Sequence, residues 1–80
     1  MNGEAIVAYI LLDVDIGMEH KVVNAIIERF SQWVTEARVT YGEHDAVVRV
    51  RVPNMRVLDS VVSGIREIEG VRRTLTLIAS

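Results

Sequence analysis

The order of its hydrophobic periods constrains this chain most: strand-like, helical, strand-like, strand-like, helical, strand-like, with nothing left over. Ala5–Val14 opens the series. It is rich in Ile, Val, Leu and Tyr and apolar on both faces, which predicts a central strand of a sheet. Asp15 or Gly17 is the predicted start of a helix. In it Val22, Val23, Ile26, Ile27 and Phe30 recur at three- and four-residue spacing. Val34–Tyr41 reads as a second strand, and Gly42-Glu43-His44-Asp45 has hairpin-loop chemistry. Ala46–Val52 alternates, with Ala46, Val48, Val50 and Val52 on one face and Val47, Arg49 and Arg51 on the other. Pro53 ends the pairing and Asn54 can cap a helix carrying Leu58, Val61, Val62, Ile65 and Ile68. Gly70 stops that helix in a left-handed turn. Val71–Ala79 is the last strand, predicted to set Val71, Leu75, Leu77 and Ala79 on one face and Arg72, Thr74, Thr76 and Ile78 on the other.

This order, two loosely repeating halves, specifies an α+β fold: a ferredoxin-like βαββαβ sandwich, one domain over residues 1–80. Two helices cover only one face of a four-stranded sheet. The other face is expected to carry Val7, Tyr9, Leu11, Val47 and Ile78, mixed with Arg49, Arg51, Thr74 and Thr76. That apolar set exceeds what a small monomer normally leaves in water. A second copy packed sheet to sheet, a dimeric α/β barrel, is the simplest closed solution. Its predicted interface is Val7, Tyr9, Leu11, Val47, Arg49 and Ile78. An 80-residue chain also needs the core such a partner adds, because a domain of this size buries only about 60–65% of its unfolded surface.

Composition removes several function classes. With no cysteine, disulfides and thiolate metal sites are excluded. The longest apolar run, Ala5 to Leu12, is eight residues, too short to cross a membrane as a helix. The N-terminal Met1-Asn2-Gly3-Glu4 lacks the basic start of a signal peptide, so a cytoplasmic location is expected. A net charge of −2 and a pI near 5.6 leave no basic excess for a large nucleic-acid footprint. The eight arginines and one lysine are scattered rather than blocked. His20 and His44 have no ligand-spaced partner and read as surface histidines. Asp13-x-Asp15 fits helix-start chemistry, and there is no phosphate loop or nucleophile motif. No metal, cofactor or catalytic residue is expected.

Tyr41-Gly42-Glu43-His44-Asp45 followed by the alternating Ala46–Val50, the final Gly70-Val71-Arg72-Arg73-Thr74-Leu75-Thr76-Leu77-Ile78, and the opening Ala8–Val14 together resemble the C-terminal ligand-binding (RAM) domain of the leucine-responsive Lrp/AsnC regulators. The motifs are Gly-x-x-Asp between strands and Thr-x-Thr in the last strand. Trp33 stands where members of that family often carry Gly. These 80 residues hold no counterpart of the DNA-binding helix-turn-helix of full-length members, so the expectation is the stand-alone form of the domain, to which direct nucleic-acid binding does not carry over. The resemblance implies dimers that assemble into octamers or decamers. It also implies a free amino acid or related small effector bound where dimers meet, with full-length regulators of the family as partners. Tyr41, Gly42, Glu43, His44, Asp45, Thr74 and Thr76 are the implied effector-binding residues.

The residue chemistry suits an amino acid. Asp45 or Glu43 can accept from an ammonium, and backbone N–H groups near Gly42, Thr hydroxyls or an Arg can donate to a carboxylate. Two other classes fit the same fold: a cofactor-free monooxygenase or isomerase of the dimeric α/β-barrel type, and an assembly module without a ligand. The enzyme needs a polar group in a cavity between sheet and helices. The aliphatic helix-facing residues favour a sensing regulator.

Overall fold

The computed structural model describes residues 5–80. Its elements are β1 (Ile6–Val14), α1 (Glu19–Arg29), β2 (Val34–Val39), β3 (Ala46–Val52), α2 (Met55–Arg66) and β4 (Val71–Ala79). The βαββαβ order is the expected ferredoxin-like one. The strands form one antiparallel sheet in the order β2-β3-β1-β4. β1 is central, as its doubly apolar sequence requires. Ala8, Ile10, Leu12 and Val14 are buried beside Val50, Val48 and Ala46 of β3, in register Ala8↔Val50, Ile10↔Val48 and Leu12↔Ala46. Val22, Val23 and Ile26 of α1, Leu58, Val61 and Ile65 of α2, and Val52 and Ile68 complete this single cluster. Neither edge strand, β2 or β4, contributes a fully buried residue.

Local chemistry sets the ends. The Asn54 side chain accepts from the Val57 N–H at 2.9 Å, the expected N-cap. α1 begins at Glu19 rather than at Asp15 or Gly17. The Asp15 N–H is taken by the Gly70 carbonyl at 2.8 Å, its own carbonyl accepts from Met18, and Gly17 adopts a φ of +88°. Residues 15–18 are therefore a turn. β2 ends at Val39, short of Tyr41, because the Thr40 N–H closes the hairpin onto the Asp45 carbonyl at 2.9 Å. Ile27 is exposed rather than core.

The faces of β4 are the reverse of the sequence expectation. The ladder pairs Ala8 with Ile78, Ile10 with Thr76 and Leu12 with Thr74, so these three share the helix-covered face. Tyr9 pairs with Leu77 and Leu11 with Leu75, so the two leucines lie on the open face. Ile78, Thr74 and Thr76 are thus misplaced in the open-face set, and Leu75 and Leu77 were missing from it. The cause is a bulge. Asp13 pairs with Arg73 but Val14 with Val71, which leaves Arg72 as the extra residue. Val71 stays packed against the core, while everything after Arg72 changes phase.

Candidate functional site

The segment between β2 and β3 is pinned to the end of β1 by one residue. The Asp45 N–H donates to the Leu12 carbonyl at 2.8 Å, and Asp45 Oδ2 accepts from the Val14 N–H at 2.8 Å. Its backbone and side chain continue the β1 ladder where β3 stops. The Thr40 hydroxyl donates to the His44 carbonyl at 2.8 Å and braces the loop from within. Gly42 has a φ of +119°, which favours glycine.

His44 is neither free nor fully exposed, contrary to the surface histidine the sequence suggested. Its Nδ1 lies 3.1 Å from Asp13 Oδ1, and the Arg73 Nε donates to the other oxygen, Asp13 Oδ2, at 3.1 Å. Asp13 therefore ties the loop to β4 across β1, a role that replaces the helix-start role expected of it. The hydrogen bond with His44, then the nearby Arg73 guanidinium, hold its carboxyl below the ordinary value of 3.8 against the opposing effect of burial. No local pattern announces this trio, whose members are 31 and 60 positions apart.

Within one chain the residues expected to bind the effector fall into three places. Tyr41, Gly42 and Asp45 line a concavity of about 350 Å³ with Thr40, Glu19 and His20 of α1. His44 and Thr74 line a second, of about 290 Å³, whose walls include Leu11, Asp13, Arg73 and Leu75. Thr76 belongs to a groove of about 480 Å³ between α2 and β4, with Met55, Val62 and Ile78. Glu43 is exposed in the loop. The first concavity combines the carboxylates of Asp45 and Glu19 with the open backbone at Gly42, the right parts for a small molecule bearing an ammonium and a carboxylate. Glu19 and His20 were not anticipated, because only the fold sets the first turn of α1 beside the loop.

The open sheet face adjoins the second concavity. Val7, Tyr9, Leu11 and Val47 are joined there by Leu75 and Leu77, each 49% exposed. Toward β2 the face turns polar. The Arg49 guanidinium donates to the Thr35 hydroxyl at 2.8 Å and to the Tyr9 hydroxyl at 3.3 Å, and sits 6.0 Å from the Tyr9 ring centre. Glu36 pairs with Arg38 beyond it. Among the described residues no group of three His, Asp or Glu is placed to hold a metal ion, and no helix is long and apolar enough to cross a membrane.

Comparison with known proteins places this architecture. The family model described as the Lrp/AsnC ligand binding domain matches residues 7–80. The HTH-type transcriptional regulator FL11 of Pyrococcus furiosus is 32% identical over 76 residues, which are 95% of this chain and 49% of the regulator. The chain thus spans about half the length of that relative. Among solved structures, FFRP-DM1 is 32% identical with a TM-score of 0.85, the match covering 94% of this chain and 99% of that one. TTHA0845 from Thermus thermophilus is 36% identical with a TM-score of 0.86, covering 94% and 92%.

Proposed function

This chain belongs to the Lrp/AsnC ligand-binding domain family, and from that premise we propose that it senses a free amino acid or a closely related molecule and answers by changing its state of assembly. The observation that carries the reading is the concavity at the end of the sheet, where Asp45, Glu19 and the Gly42 backbone meet. An α-amino acid offers one cation and one anion about a single carbon, and this concavity places carboxylate acceptors beside an open backbone. The open face supports the second half of the reading. A second copy laid on Leu11, Leu75, Leu77 and Val47 removes a continuous apolar surface from water. Dimers of that kind leave the loop sites at their ends, where further dimers would meet to give a closed ring of octamer or decamer type. A ligand shared between subunits shifts the assembly equilibrium if it favours one state, and the two measurements must then be linked.

Its effect on transcription would be exerted through longer regulators of the same family, by forming mixed assemblies with them or by competing for effector. The relatives it matches are transcriptional regulators, which favours regulation over catalysis. The experiment is light scattering of the purified chain across a panel of the natural amino acids, paired with calorimetry. Binding accompanied by a change in mass supports the reading. A chain that binds none of them below millimolar concentration, with its mass unchanged, overturns it.

A further inference from the structure

The three concavities described above each carry a carboxylate in the wall: Asp13 in one, Glu19 and Asp45 in another, Asp59 in the third. A fourth, of about 330 Å³, has none. It lies between the end of α2 and the start of β4 and is lined by Arg66, Val71, Arg72, Arg73 and Thr74. We infer that this basic concavity binds a phosphate group, with Arg66 as its anchoring residue. The inference does not depend on the concavity at Asp45, Glu19 and Gly42, and it gives Thr74, which also lines the concavity beside Leu11, a different role.

Arg66 is held in place without being neutralised. Its Nε donates to the Thr74 hydroxyl at 3.1 Å, and none of the ion pairs among the described residues involves it. The bond fixes the guanidinium plane and leaves both terminal nitrogens free as a two-pronged donor. It also orients Thr74. A hydroxyl that accepts from Arg66 keeps its own proton to donate. The bulge supplies the third donor. Arg72 is the unpaired extra residue of β4, and bulges re-aim the side chain they carry. Its guanidinium lies 3.9 Å from Asp15, too far for a good hydrogen bond, so it is loosely held and able to turn inward. Arg73 is committed to Asp13 on the open face and contributes field rather than contact.

The helix dipole and two aspartates oppose this basic character without cancelling it. The C-terminus of α2 presents the negative end of its dipole, worth about half a charge, and the full charge of Arg66 in its last turn outweighs it. Asp13 and Asp15 offset Arg73 and Arg72 only in part, because both arginines are mostly exposed. A tetrahedral oxyanion suits donors contributed by an arginine fork, a hydroxyl and a second arginine. A planar carboxylate would use the fork alone.

The test is a titration of the isotope-labelled chain followed by amide resonances at fixed ionic strength, with inorganic phosphate, adenosine monophosphate and acetate as probes. Saturable shifts confined to residues 66 and 71–74 are expected with phosphate. Arg66→Gln should weaken binding at least tenfold, the scale of losing charge-assisted hydrogen bonds, while Arg29→Gln on α1 should leave it unchanged. Tighter binding of adenosine monophosphate would identify a phosphorylated metabolite as the source, and equal binding would identify free phosphate. Shifts that never saturate, acetate binding as tightly as phosphate, or an unaltered affinity in Arg66→Gln would overturn the assignment.

Discussion

Leu75 stands directly opposite Leu11 in the β1–β4 ladder, and both project from the sheet face that the helices leave open. The pair defines the middle of the proposed dimer contact. Covering the exposed half of Leu75 in each of two symmetric copies is worth about 2 kcal/mol in total. A charge there adds an unpaired buried ion to that loss. Leu75→Glu should therefore raise the dimer dissociation constant at least thirtyfold by analytical ultracentrifugation. Ile78→Glu, on the other face, should leave it nearly unchanged. Equal sensitivity at both positions would mean that the open face is not the contact.

Asp45 has two duties that substitution can separate. Its side chain accepts the Val14 N–H, so Asp45→Ala should destabilise the fold by about 1–2 kcal/mol in urea titrations. Asp45→Asn keeps a carbonyl acceptor and should cost little stability. It removes the negative charge, however, and should weaken amino-acid binding about tenfold or more by calorimetry. Full affinity in the Asn variant would exclude Asp45 as the ammonium's partner.

Acid should expose the Asp13 linkage. Its carboxyl titrates lower in the folded chain than the ordinary 3.8 because His44 and Arg73 stabilise the charged form. The unfolded chain takes up that proton first. The contribution is thus fully present above 3.8 and is lost as pH falls through the lower folded value. Asp13→Asn should flatten the fall in stability across that acid range. Chemical denaturation at a series of pH values reads the difference. Superimposable curves for variant and parent would remove Asp13 from the account.

The two helices meet at a glycine. A Cβ on Gly64 would come within 2.6 Å of the Phe30 ring tip. Helix propensity alone favours alanine there by about 1 kcal/mol, but a displaced ring costs about 1–3 kcal/mol. Gly64→Ala should be net destabilising in thermal unfolding. In a Phe30→Leu background the same substitution should become neutral or stabilising. That reversal of sign is the signature of direct contact.

The sequence was most readable where burial was complete. β3 alternates, and its inward positions follow from residue type: Val50, Val48 and Ala46, which sit opposite Ala8, Ile10 and Leu12 of the doubly apolar β1. β4 was misread because it is an edge strand with leucines on one face and an isoleucine with threonines on the other, and neither set is fully buried. Uninterrupted alternation would keep Leu75 with Val71. The bulge that breaks this phase has no local mark in Arg72-Arg73, since two exposed arginines fit either face. The loop was legible as a turn from Gly42 and Asp45. Its pinning to Val14 and the Asp13, His44 and Arg73 trio were not, because those contacts join distant segments that only the folded sheet brings together.

The bulge at Arg72 makes the social behaviour of this fold hang on a single choice of register in its last strand. Were Arg72 instead to pair with Asp13, the last strand would run in unbroken phase from Val71, turning Leu75 and Leu77 inward and presenting Thr74, Thr76 and Ile78 to the neighbour. An oily surface would become a largely hydroxylated one with no change to the central strands. The capacity to self-associate therefore rests on which of two adjacent arginines sits opposite Asp13.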